Sequence, residues 1–314
     1  MINYPDGIIL SISSFELNQN EINFFKNLNP LGFVLFKRNF QNKNQITKLI
    51  KNLKKITLNK KLLIFLDQEG GKVQRLNNEE FIKFPPQKSF GDIYLKNKKK
   101  AIDLAYKSSF LMGYQQKMVG IDVDFSPVCD LFVKGASEVI GDRSFSSNPS
   151  VVYELSKVFC KGLKDSGVLS VPKHFPGHGR SRNDTHFKSS KIEVDLNLLM
   201  KTDLVPFKLL DSALMVMLAH IIYPKIDNKV ATYSSKIISI LRKNFKFKGL
   251  IISDDISMKA LRESTEDKIK NSYYAGCDVI LYCKGNLNEI KEFYPFIRKI
   301  NYKPYDYFFY EKKK

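Results

Sequence analysis

The sequence predicts an α/β protein built as a single (β/α)8 barrel of the TIM type. Eight short apolar runs rich in β-branched residues recur along the 314 residues, and such runs are typical of parallel strands buried on both faces. Segments with a helical spacing of apolar residues lie between them, which is the alternation expected of repeated β–α units. Polar and titratable residues follow several runs directly, and in a barrel these positions share the rim that carries function.

The predicted strands are short and mostly continuous in their apolar character, which suits strands buried on both faces. Turn-forming and polar residues separate them from the helical segments. We place the strands at residues 8–12, 32–36, 62–66, 121–125, 168–171, 214–218, 250–252 and 279–282.

Five apolar stripes at helical spacing predict helices that pack one side against the strands. Pro206 disturbs the third stripe. Residues 67–120 contain Gly70, Gly71, Pro85, Pro86 and Gly91, so we expect a long loop there, followed by a helix near residues 101–118. The stripes are Ile46, Leu49, Ile50 and Leu53; Leu155, Val158, Phe159 and Leu163; Leu199, Leu204, Phe207 and Leu210; Ile237, Ile238, Leu241 and Phe245; and Ile290, Phe293, Phe296, Ile297 and Ile300.

No linker, repeat or second domain is evident, so we predict one domain over residues 1–314 with a frayed basic tail after Tyr310. No apolar run is long enough to span a membrane, and we expect no membrane partner. Pro5, Asp6 and Gly7 stand where a signal peptide would have its apolar core, so we expect a cytoplasmic protein. We also expect a monomer.

The four cysteines show no C-x-x-C spacing, so we predict buried thiols that are not in disulfides, in a reducing compartment, and no structural zinc. They are Cys129, Cys160, Cys277 and Cys283.

The net charge of +19 allows two interpretations. One is an anionic polymer partner such as nucleic acid. The other is a composition bias, since Lys, Asn and Ile are plentiful throughout. The lysines are scattered, and no basic stretch is interleaved with aromatic residues as single-strand binders require. We therefore favour composition bias and expect no nucleic-acid partner.

Charged and protonatable residues cluster after five of the predicted strands. A lone Asp after a strand is often a helix cap, and Asp124 and Asp130 can be read as loop caps and His220 as a hydrogen-bonded core histidine. The convergence of many such groups on one face nevertheless favours an active site. The residues are Asp67 and Arg75; Asp130 and Arg143; Lys173, His174, His178, Asp184 and His186; His220; and Asp254 and Asp255.

Three chemistries are compatible with these residue types. A metal site would use His174, His178 and His186 with Asp184, but Pro176 and Gly177 prevent the first two histidines from standing one helical turn apart. Acyl transfer would need an activated nucleophile, and no G-x-S-x-G elbow is present. We therefore expect no metal and no cofactor.

Acid–base chemistry with a carboxylate nucleophile fits better. Asp184 lies two residues before His186, where it can orient the imidazole and favour its charged form. Asp254 or Asp255 then supplies a nucleophile from another strand end. Retaining glycoside hydrolysis needs this pairing, although its proton donor is usually a carboxylic acid.

At these residues the chain resembles the bacterial β-N-acetylglucosaminidases of glycoside hydrolase family 3. Residues 173–179 (KHFPGHG), followed by Asp184-Thr185-His186, are similar to the signature of that family, which usually has Ser where this chain has Thr185. The segments 66–75 (LDQEGGKVQR), 140–145 (IGDRSF), 252–258 (ISDDISM) and 275–278 (AGCD) resemble further family motifs in the same order.

The resemblance implies a single (β/α)8 barrel and a two-step retaining mechanism without a metal. It implies that Asp254 is the nucleophile, that His186 is the general acid and base, and that Asp184 orients His186. Cytoplasmic members remove N-acetylglucosamine from 1,6-anhydro-muropeptides during peptidoglycan recycling, so a carbohydrate substrate is expected. The residues implied to hold the sugar are Asp67, Arg75, Arg143, Lys173 and His174.

Three alternatives remain open at this point. The sugar specificity can be that of a related β-glucosidase. A histidine donor does not repel an incoming anion, so phosphate can replace water and make the enzyme a phosphorylase. The third alternative belongs to another functional class: a basic binding protein on a barrel scaffold, without catalytic activity.

Overall fold

The computed structural model describes residues 4–182, 190–211 and 213–312. Its strands in chain order are β1 Asp6–Leu10, β2 Pro30–Leu35, β3 Leu63–Leu66, β4 Val123–Asp124, β5 Leu169–Ser170, β6 Ser190–Lys191, β7 Met215–Met217, β8 Ile221–Tyr223, β9 Asp227–Val230, β10 Leu250–Asp255 and β11 Val279–Leu281.

Eight of these strands form one parallel sheet in the order β5-β4-β3-β2-β1-β11-β10-β7. Each of the eight predicted apolar runs overlaps one of them, so the predicted (β/α)8 barrel is confirmed. The chain just beyond the carboxyl end of β5 is joined to the carboxyl end of β7, where the Phe175 N–H donates to the Met217 carbonyl at 2.8 Å. This contact brings the loop after β5 to the rim of the barrel.

The helices surround the sheet and cover its outer face. Residues of the first two predicted stripes, such as Leu53 and Leu163, are buried against the strands. The helices are α1 Gln19–Phe25, α2 Lys43–Ile56, α3 Gln87–Lys96, α4 Lys98–Val119, α5 Pro149–Asp165, α6 Leu196–Lys201, α7 Ser235–Ser239, α8 Thr265–Ala275, α9 Leu287–Phe293 and α10 Tyr302–Glu311.

Several local predictions were wrong. The region predicted as a long loop contains α3, and Gly91 lies within this helix. A Cβ at Gly91 would lie 1.7 Å from the Phe145 carbonyl oxygen. The glycine therefore allows close packing of the helix and does not mark a loop. The last stripe is not one helix, since α9 ends at Phe293 and Ile297 lies beyond the short helical turn Tyr294–Phe296. The three-stranded sheet of β6, β8 and β9, and helix α10, were not predicted.

The interior of the barrel is filled by apolar side chains from alternate strand positions. Phe65 and Phe125 stack there with ring centroids 5.3 Å apart. Tyr305 and Phe308 of α10 belong to the same buried cluster, so α10 closes the N-terminal end of the barrel. The carboxyl end remains for polar residues.

The four cysteines are free thiols, as predicted, but two of them, Cys160 and Cys283, are half-buried rather than buried.

Within residues 4–182, 190–211 and 213–312, no helix has both the length and the apolar character that a membrane crossing requires.

Candidate active site

A chain of alternating charges lies at the carboxyl end of β3. The Glu69 carboxylate binds the Arg143 guanidinium at 2.7 and 2.8 Å and the Lys173 ammonium at 2.6 Å. Lys173 also binds Asp67 at 2.6 Å, and Asp67 binds Arg75 at 2.9 Å. The charges therefore alternate along the series Arg143, Glu69, Lys173, Asp67 and Arg75, and their sum is +1. Glu69 and Lys173 are almost fully buried.

A tight glycine turn folds the segment of residues 67–75 back on itself. Gly70 and Gly71 both have positive φ (92° and 60°), and a Cβ on Gly70 would lie 2.4 Å from the Pro85 carbonyl oxygen. The buried Gln68 side chain accepts the Arg75 N–H at 2.7 Å. Together these contacts return Arg75 to the Asp67 carboxylate, eight residues earlier.

The loop after β5 is fixed by Asp130. Its carboxylate accepts the backbone N–H groups of His174 (3.3 Å) and His178 (2.6 Å) and the His174 Nδ1–H (2.7 Å). Asp130 is thus the loop cap that the sequence suggested, and its bond to Nδ1 also fixes the orientation of the His174 ring. Burial alone would raise the pKa of Asp130, but the His174 ring and these N–H groups lower it.

Asp254 and Asp255, the last two residues of β10, have different surroundings. Asp255 accepts the Ser257 N–H (3.0 Å), the Ser257 hydroxyl (2.6 Å) and the Cys283 N–H (3.1 Å), so both its oxygens serve loop structure. Burial raises its pKa. Asp254 accepts the Asp255 N–H at 2.8 Å, and its side chain lines the cavity described next.

A cavity of about 250 Å³ opens at this rim. Every predicted site residue that the structure describes lines it, and these are Asp67, Arg75, Arg143, Lys173, His174 and Asp254. Asp184 and His186 lie outside the described residues. The cavity therefore brings the predicted sugar-binding residues together with the predicted nucleophile.

The network keeps Asp67, Glu69 and Lys173 in their charged forms. Burial alone would raise the pKa of Asp67, but Lys173 and Arg75 lower it strongly. Burial alone would likewise raise the pKa of Glu69, but Arg143 and Lys173 lower it. Burial alone would lower the pKa of Lys173, but Asp67 and Glu69 raise it. Charged hydrogen-bonding groups that are already oriented in a partly buried cavity bind sugar hydroxyls strongly.

Burial keeps His178 and His220 neutral. Burial lowers the pKa of His178 to about 4, with its ring centroid 5.7 Å from that of His174. His220 is fully buried, contacts Thr232 Oγ1 at 2.8 Å and the Asp255 carbonyl at 3.1 Å, and has a lowered pKa because of its burial. The interpretation of His220 as a hydrogen-bonded core histidine is confirmed.

Sequence reasoning missed the part played by Glu69. It stands two residues after Asp67, and a strand-like i, i+2 spacing would have placed both carboxylates on one side of the chain. The described residues contain no group of three or more His, Cys, Asp or Glu side chains arranged to hold a metal. Asp67 and Glu69 instead bind cationic side chains.

Asp124 lies fully buried beside the network and accepts the Gln68 N–H (3.1 Å) and the Gln116 amide (2.6 Å). Burial raises its pKa to about 8. The unfolded chain releases this proton near pH 4, whereas the folded chain keeps it until about pH 8. The native state therefore binds more protons between these values, and this group makes stability fall as the pH rises through that window.

We expect Asp124→Asn to remove this contribution. The free energy of unfolding of the variant, measured by urea denaturation at pH 5 and pH 8, should decline less with pH than that of the wild type. An equal decline in both proteins would contradict the assignment of a neutral Asp124.

Comparisons with known proteins agree on one family. A family model described as "Glycosyl hydrolase family 3 N terminal domain" matches residues 7–302. A "Beta-hexosaminidase" of Hydrogenovibrio crunogenus is 39% identical over 263 residues, which cover 82% of this chain and 73% of the relative. A "Beta-hexosaminidase" of Nitrosomonas eutropha is 38% identical over 257 residues, 80% of this chain and 73% of the relative.

Solved structures agree with the sequence relatives. Native NagZ from Neisseria gonorrhoeae superposes with a TM-score of 0.90 at 32% identity, over 98% of this chain and 90% of that one. NagZ from the same organism in complex with N-trifluoroacetyl-D-glucosamine has a TM-score of 0.91 at 32% identity and the same coverage.

Proposed function

The chain belongs to glycoside hydrolase family 3 and is a β-N-acetylhexosaminidase, and on that basis we propose that it is a retaining exo-β-N-acetylglucosaminidase. The proposed substrates are peptidoglycan fragments, the 1,6-anhydro-muropeptides, with β-linked N-acetylglucosamine at their end. The observation that carries the proposal is the cavity shared by Asp254 and the charged network. Its volume of about 250 Å³ is small for a ligand pocket, which supports binding of one terminal sugar ring.

In the first step the Asp254 carboxylate attacks the anomeric carbon and the glycosidic carbon–oxygen bond breaks. His186 gives its proton to the leaving oxygen, and a covalent glycosyl-Asp254 ester forms. In the second step His186 takes a proton from water, the water oxygen attacks the anomeric carbon, and Asp254 leaves. Two inversions give net retention. Asp184 orients and polarises His186 throughout.

The network residues hold the sugar. Lys173 and Arg143 donate to hydroxyl or N-acetyl oxygens, and Asp67 accepts from hydroxyls, while Arg75 and His174 complete the ring of polar groups. None of these steps needs a cofactor. Because Asp255 serves loop structure through both oxygens, Asp254 is the better candidate for the nucleophile.

We also propose that the protein acts as a monomeric single-domain enzyme in the cytoplasm. Its four cysteines are free thiols, which is the usual state in a reducing compartment. This supports a compartment where recycled wall fragments, rather than the intact wall, are the substrate.

An aryl β-N-acetylglucosaminide tests the function directly. We expect release of the aryl alcohol, with β-N-acetylglucosamine as the first sugar product in proton NMR, and much weaker release from the matching aryl β-glucoside. The same reaction with added phosphate should give no sugar phosphate. A preference for the glucoside, or accumulation of sugar 1-phosphate, would replace this proposal with one of the alternatives.

His186→Ala tests the proton donor. We expect kcat to fall about 10²- to 10⁴-fold for a substrate whose leaving group needs protonation. The loss in the first step should be much smaller for dinitrophenol, which leaves without a proton. Comparing single-turnover rates for good and poor leaving groups measures this, and equal losses for both would rule out the donor role.

A further inference from the structure

The two edge strands of the barrel are separated where they begin, beside α10 and on the side away from the active site. The residues just after β5 join the carboxyl end of β7. The bonds run from Met217 N to the Pro172 carbonyl at 3.1 Å, and from Phe175 N to the Met217 carbonyl and Ala219 N to the Phe175 carbonyl at 2.8 Å each. Among the described residues, no strand pairing joins β5 itself to β7. A cavity of about 640 Å³ lies between the residues that begin these strands.

The floor of this cavity is apolar. It is formed by Val158 on α5, Leu169 on β5, Leu214 just before β7 and Tyr307 on α10. Both residues of β5 are half-buried, whereas every residue of β2, β3, β4, β7 and β11 is buried. Apolar surface in a recess of this size is typical of ligand pockets.

The rim of the cavity carries an excess of positive charge. Five lysines line it, against the carboxylates of Asp122 and Glu311. Asp122 is already engaged by Lys54 at 2.7 Å. No carboxylate of the described residues lies within salt-bridge distance of Lys157 or Lys164. Two of the five lysines already have carboxylate partners, Lys117 with Asp122 at 3.6 Å and Lys161 with Asp165. An anionic group at this rim would therefore meet the ammonium groups of Lys157 and Lys164, which have no carboxylate partner among the described residues. The lysines are Lys117, Lys157, Lys161, Lys164 and Lys312.

We propose that this cavity binds an amphiphile with one alkyl chain and one anionic head group, of the carboxylate or phosphate type. The alkyl chain covers Leu169 and Leu214, and the head group meets the lysines of α5. The recess favours a single dissolved molecule, because the flat surface of a bilayer cannot reach its floor. The site uses neither Asp254 nor the sugar-binding network, so it is independent of the hydrolase function.

Isothermal titration calorimetry with three probes below their micelle concentrations tests the chemistry. Dodecanoate or dodecyl phosphate should bind with one molecule per chain, and the preferred anion identifies the head group. Neutral dodecanol should bind at least about tenfold more weakly. Equal binding of dodecanol would overturn the proposal, as would association with phosphatidylglycerol vesicles in the absence of binding to either soluble anion.

Variants locate the site. Lys157→Glu with Lys164→Glu should weaken binding of the anion by about tenfold or more. The matched control is Lys48→Glu with Lys55→Glu on α2, which changes the same charge at the same helical spacing on exposed lysines. Equal weakening in both double variants would mean general attraction to a basic protein and would overturn the site.

Leu169→Trp tests the floor without changing charge, and it should block the probe by filling the cavity. Aryl glycoside hydrolysis should be unchanged in both lysine pairs, which shows that they are folded. If Leu169→Trp does not fold, the lysine pairs still decide the question.

Discussion

Replacing Asp254 with alanine is expected to lower turnover of an aryl β-N-acetylglucosaminide by more than about 10³-fold, a loss of more than about 4 kcal/mol of transition-state stabilisation. The variant retains the charged network but has no carboxylate to form the proposed covalent intermediate. Binding of N-acetylglucosamine should change much less than kcat, because Asp67, Lys173 and Arg143 are intact. Steady-state kinetics and sugar titrations measure the two effects separately.

Added azide should restore turnover of the Asp254→Ala enzyme. Azide can occupy the space left by the carboxylate and attack the anomeric carbon while the aryl alcohol leaves, which gives the α-glycosyl azide. Proton NMR of the product identifies its anomer. Full activity without azide would rule out Asp254 as the nucleophile, and a β-glycosyl azide would place the attacking carboxylate elsewhere.

Asp255→Asn is the matched control. Asp255 lies beside Asp254 but holds Ser257 and the Cys283 N–H. We expect this variant to be less stable and less active, without rescue by azide. Rescue of Asp255→Asn alone would exchange the roles of the two aspartates.

The barrel strands were predictable because their burial on both faces leaves a local apolar pattern. The helices were less predictable where tertiary contacts outweigh local signals. Gly91 reads as a loop residue, yet it lies within α3 because the Phe145 carbonyl comes too close for any side chain. Leu169 reads as a strand core residue, yet it faces a cavity because β5 and β7 do not pair at that end.

The candidate active site also has a part that was predictable from the sequence and a part that was not. Motif order identified the residues that line the cavity, because each lies at the carboxyl end of a barrel strand or in the loop that follows it, and these ends and loops share a rim. The connections among them were not predictable, since they depend on distances between separate loops. Glu69 holds Arg143, which is 74 residues away, and Lys173 from a third loop. The only local signal at Glu69 is its i, i+2 spacing from Asp67, which does not show that it binds cations from two other loops.

Glu69→Gln is therefore expected to be among the most destabilising single changes in the site. The substitution keeps the shape of the side chain and removes its charge. It leaves Lys173 and Arg143, both nearly buried, to share the single carboxylate of Asp67 with Arg75. Removing one partner from a buried ion pair costs about 3–5 kcal/mol, because an uncompensated buried charge remains. Urea denaturation at neutral pH measures the loss.

Two comparisons separate this effect from a general Glu→Gln cost. Glu154→Gln removes a carboxylate that binds Lys98 at 2.7 Å on the surface, and exposed pairs contribute only about 0–1 kcal/mol. Lys173→Met removes the central cation and leaves Arg143 with Glu69 and Arg75 with Asp67, two neutral pairs. We therefore expect Lys173→Met to be more stable than Glu69→Gln, but to lose more sugar affinity.

The double variant Glu69→Gln with Lys173→Met completes the cycle. Removing both charges leaves Arg143, Asp67 and Arg75, which restores the net charge of +1 that the intact network has. The double variant should therefore lose less free energy of unfolding than the sum of the two single losses. The difference, which is the coupling energy, should be about 1–3 kcal/mol. Additive losses would mean that Glu69 and Lys173 act independently. In that case the alternating charge chain does not position the sugar-binding groups as one unit, and Glu69 supports Arg143 alone.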